Sequence, residues 1–400
     1  MNAIELENKY GCFNYKPLPV VLAKGEGVWL WDEDGKKYLD MMSAYSAVSH
    51  GHSHPRLVKI FQEQAGNLAI VSRAFYNTHL GPYEKKLCEI TRLDRVLPMN
   101  TGAEGVETAI KASRLWGYKV KNIPEGKAEI ITAEGNFHGR TTTIIGFSSD
   151  FGTKDGFAPF TDGFKTVPFG DAEAIAKAIT PNTCAVLIEP VQGEAGIIVP
   201  PKGYLKKIRE ICDKNNVLMV LDEVQSGLGR TGKLFCFNHE DITPDLVILG
   251  KALGGGMMPV SAVVGKDAVL KLFTPGSHGS TFGGNPLAAR VALEAINVLQ
   301  EEGLVDNSAK LGKYFVEKLK AIKTPLFKEI RGIGLWIGAE FYADKADAKD
   351  VCLRLMKKGI LAKETHKTTI RFAPPLVITK EQIDWAVEQI ESVLKEVENA

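Results

Sequence analysis

The chain has 400 residues, 44% of them hydrophobic and 24% charged, with 39 glycines and 19 prolines spread along its length. That composition belongs to an ordinary globular protein of two or three domains and excludes a disordered, collagenous or coiled-coil chain. Forty-nine basic residues against 48 acidic ones leave a net charge of +1, so bulk charge favours neither nucleic acid nor a membrane surface as partner.

The chain opens on Met1-Asn2-Ala3-Ile4-Glu5-Leu6-Glu7, acidic and polar, with neither a signal-peptide core nor an Arg-rich transit pattern. No apolar run approaches the roughly 18–20 residues needed to span a bilayer, and a cytoplasmic protein is predicted. Residues 27–40 read as a hairpin, two aromatic-aliphatic runs flanking the turn signal Asp34-Gly35. From about residue 55 to 285, helical periods such as 103–118 and 203–214 alternate with short apolar runs. The runs are Glu129 to Thr132, Ala185 to Ile188, Val217 to Leu221, Leu246 to Leu249 and Val260 to Val264. Such alternation predicts an α/β domain whose mostly parallel sheet is sandwiched by helices.

After Asn285-Pro286 the pattern changes to helices over 287–301 and 306–322, a strand over Leu335 to Phe341, a helix near 346–358 and a strand over Thr369 to Phe372. A last helix carries Ile383, Val387, Ile390, Leu394 and Val397 at helical spacing. The division is therefore an N-terminal segment with its hairpin (1–54), a large cofactor-binding domain (55–285) and a smaller α+β domain (286–400) that the N-terminal segment joins. Cys12, Cys88, Cys184, Cys212, Cys236 and Cys352 lie far apart with no C-x-x-C pair. They read as reduced, mostly buried thiols.

Three features fall at strand exits or a helix start, where open α/β sheets place ligands. The apolar run ending at Leu221 delivers Asp222 and Glu223, an anionic group facing a crevice. The run Leu246-Val247-Ile248-Leu249 delivers Lys251 beside Gly254-Gly255-Gly256. A lysine so placed loses hydration, which lowers its pKa and makes it a usable amine nucleophile. Asn100-Thr101-Gly102-Ala103-Glu104 opens a helix with Asn100 or Thr101 as cap, and free amides there suit a phosphate. Phosphate, cationic ring nitrogen and carbonyl together describe pyridoxal phosphate.

Two other motifs carry less. Gly227-Leu228-Gly229-Arg230-Thr231-Gly232 matches the dinucleotide fingerprint G-x-G-x-x-G, but an acidic turn precedes it and no helical period follows. His50, His52 and His54 alternate ahead of Pro55 with no acid or cysteine grouped with them, so a turn rather than a metal site is predicted.

The stretches around Asn100–Glu104, Leu221–Gly227, Leu249–Gly256 and Gly279–Pro286, in that order over nearly the whole chain, resemble the class III pyridoxal-phosphate aminotransferases of fold type I. Within the class the chain is most similar to the ornithine aminotransferases, on Asn14–Val20, Ser43–Val48, Ser72–Asn77, Gly135–Thr141 and Ile370–Pro375. Acetylornithine and 4-aminobutyrate aminotransferases share the cofactor motifs and remain alternatives.

The resemblance implies a set of roles. Lys251 is the Schiff-base lysine and proton shuttle, and Asp222 pairs with the pyridinium nitrogen. Gln225 hydrogen-bonds the phenolic oxygen, while Phe137 and Val224 enclose the ring. Gly102 and Ala103 cradle the phosphate, with Ser280 and Thr281 reaching it from a partner subunit, which makes a homodimer the minimum functional unit. Tyr15 and Arg140 hold the α-amino acid end of ornithine, and Tyr45 closes the far end of the pocket. Glu194 pairs with Arg371 in the first half-reaction and then releases it to hold the α-carboxylate of glutamate or 2-oxoglutarate. His138 follows the stacking Phe137 where a tryptophan is expected in animal relatives, a departure that bears on the outer pocket wall.

Overall fold

Apolar runs long enough for a strand but too short for a helix form the centre of the molecule. The structure, a computed structural model, describes residues 1–399. Its large sheet has seven strands, in spatial order Arg95–Met99, Ser261–Gly265, Leu246–Leu249, Leu218–Asp222, Thr183–Ile188, Glu129–Ala133 and Phe164–Val167. The four strands Thr183–Ile188, Leu218–Asp222, Leu246–Leu249 and Ser261–Gly265 are buried at every position. That is why they read as unbroken apolar runs: both faces are covered, so no alternate position meets water.

The two faces separate by residue parity. Ala185, Leu187, Val220 and Ile248 pack with Val106, Ala109, Ile110 and Trp116 of the helix Gly102–Lys119. Val186, Ile188, Met219, Leu221, Val247 and Leu249 face the opposite layer, with Ile208 of the helix Tyr204–Asn215 and Ala292 and Ile296 of the helix Pro286–Glu301. The helix Gly102–Lys119 lies against the sheet through Gly105, where an added Cβ would stand 2.8 Å from Ile248 Cγ2.

The sheet is mostly parallel, as predicted, with one exception. Ser261–Gly265, near the predicted run Val260 to Val264, runs antiparallel to both neighbours. Two strands escaped the apolar-run reading because each is an edge. Arg95–Met99 contains Pro98, tolerable only where a ladder bond is unneeded, and Phe164–Val167 interleaves Lys165 and Thr166 with apolar residues. The parallel strands Thr183–Ile188, Leu218–Asp222 and Leu246–Leu249 end at one rim, bringing Glu189, Asp222 and Lys251 to the same side of the sheet.

The hairpin is a three-stranded meander, Leu22–Glu26, Trp29–Asp32 and Lys37–Asp40, extended by Ile360–Leu361 running parallel to its last strand. Backbone bonds from Leu39 to Gly359 (2.8 Å), Met41 to Leu361 (2.9 Å) and Ala373 to Met41 (2.7 Å) stitch the first fifty residues to the last fifty. A second four-stranded sheet, Phe327–Gly332, Ile337–Phe341, Thr369–Phe372 and Lys363–Thr365, is antiparallel throughout. The helices Leu304–Ala321, Ala348–Lys357 and Lys380–Glu398 complete the C-terminal part. Among the described residues no helix is long and apolar enough to cross a membrane.

Candidate functional site

At the rim where the parallel strands end, a cavity of about 200 Å³ is lined by Gly102, Ala103, Phe137, Glu189, Asp222, Val224, Gln225 and Lys251, among others. Its first wall is a helix start. Thr101 caps the helix: its Oγ1 accepts from the Glu104 amide (3.2 Å), and Glu104 Oε2 accepts from the Thr101 amide (2.9 Å). Among the described residues the amides of Gly102 and Ala103 donate to nothing, so two N–H groups at a helix N-terminus open onto the cavity. A Cβ at Gly102 would approach Val224 Cγ1 to 3.0 Å, so glycine lets the backbone close on a ligand beside Val224.

The opposite end is acidic. Asp222 is buried; its Oδ1 accepts from the Val224 amide (3.0 Å) and its Oδ2 lies 2.7 Å from His138 Nδ1. Burial disfavours the charged imidazole, but the hydrogen bond and charge of Asp222, with Glu189 adding, raise the pKa of His138 overall. The neighbouring acid Glu223 turns away from the cavity and accepts from the amides of Cys236 (2.7 Å) and Phe237 (2.8 Å). Only the first acid of the pair is delivered to the site.

Lys251 follows Gly250 in the left-handed region, at φ +45°. This conformation is unfavourable by about 1 kcal/mol or more for a residue with a Cβ, and the buried turn around it holds it there. Burial lowers the Lys251 pKa, against the opposing charges of Glu194, Asp222 and Glu189. A lowered amine pKa is the shift a nucleophilic lysine needs.

Glu189 is a site residue that the sequence analysis did not single out. It accepts from the amides of Phe137 (3.0 Å) and Gly193 (3.3 Å), and its pKa is raised to about 7, by burial first, with His138 opposing and Asp222 adding. Its signal was present in the sequence: it follows the run Ala185 to Ile188 at a strand exit, as Asp222 follows its own. His138 lines the same cavity, its ring buried against Asp222, whose carboxylate supplies the one acceptor that burying an imidazole requires.

The predicted substrate residues Arg371, Glu194, Tyr45 and Arg140 come from four separate segments. Arg371 lies in the strand Thr369–Phe372 between Ile370 and Phe372. Its Nη1 stands 2.6 Å from Glu194 Oε1, a close ion pair outside hydrogen-bond alignment, and its Nε has no partner among the described residues. The Arg371 guanidinium lies 5.2 Å from the ring centre of Tyr45. Burial raises the Tyr45 pKa, with Arg371 opposing and Glu194 and Tyr15 adding. Tyr45 belongs to four successive non-glycine residues at positive φ, Ser43 to Ser46. Such a left-handed turn persists only where its surroundings over-determine it. Arg140 is exposed, with its guanidinium 5.6 Å from the Phe137 ring centre.

Neither Tyr45, Arg140, Glu194 and Arg371 nor Tyr15, Ser280 and Thr281 are among the residues that line the cavity. Tyr15 is 74% exposed and lines a separate groove formed by residues 12–22 with Ala3, Ile4, Glu7 and Asn8. Ser280 accepts from Asn100 Nδ2 (2.8 Å), while Thr281 is exposed beside Phe282. The histidine cluster is also dispersed. His50 bonds the Ala295 carbonyl (2.9 Å), His52 bonds Asp40 (2.7 Å) and His54 bonds Glu302 (3.1 Å). The G-x-G-x-x-G stretch is a buried turn with no helix after it, unlike a dinucleotide fingerprint. Of the six cysteines, none is in a disulfide; four are buried, Cys88 is half-buried and Cys12 is exposed.

Two free helix-start amides, an anion at the far end of the cavity and a desolvated lysine between carboxylates fit pyridoxal phosphate. The relatives agree. An ornithine aminotransferase of Brevibacillus brevis is 56% identical over 391 residues, covering 98% of this chain and 97% of that one. A solved ornithine aminotransferase from Toxoplasma gondii, described with partial occupancy of PLP at its active site, matches with a TM-score of 0.97 at 43% identity, over 99% of this chain and 94% of its own. An acetylornithine aminotransferase from Elizabethkingia anophelis matches with a TM-score of 0.90 at 48% identity, over 98% of each chain. The model of the class III aminotransferases matches residues 10–394, and the chain belongs to that family.

Proposed function

We propose that this pyridoxal-phosphate enzyme moves the δ-amino group of L-ornithine to 2-oxoglutarate, giving glutamate 5-semialdehyde and L-glutamate in two half-reactions at one site. The observation that carries the reading is the Glu194–Arg371 ion pair beside Tyr45, at 2.6 Å. A single pocket must accept a substrate with one carboxylate and then one with two. An arginine masked by a movable carboxylate meets both demands, since a bidentate guanidinium suits an incoming carboxylate once Glu194 leaves.

Pyridoxal phosphate, when bound, supplies the carbonyl that captures the amine and the ring that accepts electrons. The chain does the rest. The amides of Gly102 and Ala103 bind the phosphate, and the Asp222 carboxylate, oriented by Val224 and His138, keeps the ring nitrogen protonated. Phe137 and Val224 enclose the ring, and Gln225 holds its phenolic oxygen. Lys251 Nζ, its basicity lowered by burial, carries the proton taken from the substrate carbon. Tyr15 and Arg140 receive the α-amino acid end of ornithine, and Tyr45 bounds the pocket beyond the reacting amine.

The same reading makes the unit a homodimer, with the partner's Ser280 and the partner's Thr281 completing the phosphate site. It is supported by their position outside this chain's own cavity and by the exposed apolar side chains Phe75, Tyr76 and Phe282, the last next to Thr281 in the chain. It also groups residues 1–54 with 286–400 around the cofactor-binding part 55–285, supported by the backbone bonds that join the N-terminal meander to Gly359 and Leu361. Six unpaired cysteines favour a reducing, cytoplasmic setting.

A stopped-flow amine panel tests the assignment by following loss of the cofactor's visible absorption. Ornithine should bleach it faster than N-acetylornithine or 4-aminobutyrate. Faster bleaching by N-acetylornithine would move the assignment to the activity of the Elizabethkingia neighbour.

A further inference from the structure

The G-x-G-x-x-G turn carries a fully buried guanidinium, that of Arg230. Arg230 Nη1 donates to the carbonyls of Leu335 (2.8 Å) and Pro374 (2.7 Å). Its Nη2 donates to Ser43 Oγ (3.0 Å) and Ser49 Oγ (3.1 Å). No carboxylate bonds it; Asp40 is the acid whose charge acts on it, and burial lowers its pKa to about 9. A buried charge held only by neutral acceptors contributes little net stability, and an apolar residue would serve packing better. Its use is geometric: a planar fork fixes four acceptors at once.

Three of the four acceptors, Ser43, Ser49 and Pro374, flank the segments that carry Tyr45 and Arg371, and the fourth is the Leu335 carbonyl. Ser43 starts the left-handed turn that holds Tyr45, and Ser49 Oγ in turn donates to the Ser46 carbonyl (2.9 Å), at the end of that turn. Ser43 Oγ donates to the Ala373 carbonyl (2.6 Å), two residues beyond Arg371, next to the Pro374 carbonyl that Arg230 itself bonds. The Arg230 carbonyl accepts from Ser308 Oγ (2.9 Å), which accepts from the Leu335 amide (3.1 Å), so the guanidinium is anchored from behind.

We propose that Arg230 is a positioning residue for substrate selection: its guanidinium ties the turn carrying Tyr45 to the chain leaving the Arg371 strand, and thereby sets the gap between these two side chains. The proposal rests on the substrate roles given above to Tyr45 and Arg371. Arg230 touches neither substrate nor cofactor, and acts through the spacing alone.

Arg230→Lys removes the fork and endangers the fold, so the deciding variant is Ser43→Ala with Ser49→Ala, which keeps Arg230 and removes its two hydroxyl partners. The holoenzyme carrying both changes should melt within a few degrees of the parent. Its preference for ornithine over 4-aminobutyrate, as a ratio of kcat/KM, should fall about tenfold, mainly through the KM for ornithine. In a Tyr45→Ala background the two serine changes should shift that ratio no further, which a merely structural role would not produce. Equal losses with both amines, an unchanged ratio, a loss that persists in the Tyr45→Ala background, or a Tyr45→Ala enzyme with unaltered preference would each overturn the proposal. If the parent enzyme prefers N-acetylornithine, the ornithine assignment fails separately, and the same coupling read on that donor still decides the role of Arg230.

Discussion

His138 Nδ1 and Asp222 Oδ2 lie 2.7 Å apart in a buried corner of the cavity. This contact joins the residue after Phe137 to the acid expected at the cofactor's ring nitrogen. Asp222 thus has two partners, the imidazole and the Val224 amide, which hold its carboxylate in one orientation. His138→Phe should leave cofactor binding in place but lower turnover about tenfold, the usual scale for removing a group that orients a reacting one. The imidazole pKa is raised in the folded protein, so its contribution to stability is present in full below about 6.5 and fades as pH rises through the higher folded value. Denaturant melts of cofactor-free parent and variant should therefore differ most at low pH and converge as pH rises.

Glu189 titrates in the same direction. Burial raises its pKa from 4.5 to about 7, so ionising it in the folded state lowers stability as pH climbs through that interval, by roughly 3 kcal/mol. Glu189→Gln should flatten the stability–pH profile of the cofactor-free protein between those values and raise its stability at pH 8 relative to the parent. A parallel profile would show that the Glu189 carboxyl ionises as freely in the fold as in the open chain.

Lys251 and Asp222 have separable effects. Borohydride treatment of the holoenzyme should attach the cofactor to the peptide containing Lys251, and Lys251→Ala should abolish both that attachment and turnover, as mass spectrometry and steady-state assays would record. Asp222→Asn should keep the attachment but slow turnover by about a thousandfold, the scale of a lost charge aimed at the reacting group. Turnover within tenfold of the parent would remove Asp222 from its electrostatic role.

The central sheet and its chemistry were legible in the sequence because burial on both faces leaves unmistakable apolar runs, and the residue just past each run is fixed at the rim. Asp222 and Lys251 stand out that way, and both line the cavity. Glu189 obeys the same rule and was overlooked, since one acid after a run is a common event without a motif around it. The contact of His138 with Asp222 could not be read, because neither periodicity nor spacing reports how a loop turns its side chains; Phe137 and His138 both line the cavity, the first half-buried and the second buried. The left-handed turn at Ser43 to Ser46 was invisible for a different reason. It contains no glycine or asparagine to announce positive φ, and it is held by contacts with Asp40, Arg230 and Ala373, remote or outside its own run.

The gate makes its own prediction. With Glu194 removed, Arg371 stands bare in both half-reactions and competes for the α-carboxylate of ornithine, presenting the α-amine where the δ-amine belongs. A charged contact in a partly desolvated site is worth about 1.5–3 kcal/mol, or roughly ten- to a hundredfold in preference. Glu194→Ala should lose δ-selectivity by that factor while its reaction with glutamate is unchanged or faster, as single-turnover kinetics of each half-reaction would show. Equal slowing of both halves with selectivity intact would reduce Glu194 to a structural partner of Arg371.

The most direct test of the account follows one nitrogen atom. Incubating the enzyme with 2-oxoglutarate and ornithine labelled with ¹⁵N only at the δ-amine, and reading the glutamate by mass spectrometry, reports which amine reaches the cofactor site. The arrangement of Lys251, Tyr45 and the Glu194–Arg371 pair predicts that essentially all of the glutamate carries ¹⁵N. Unlabelled glutamate, with the label retained in an α-keto acid, would contradict it.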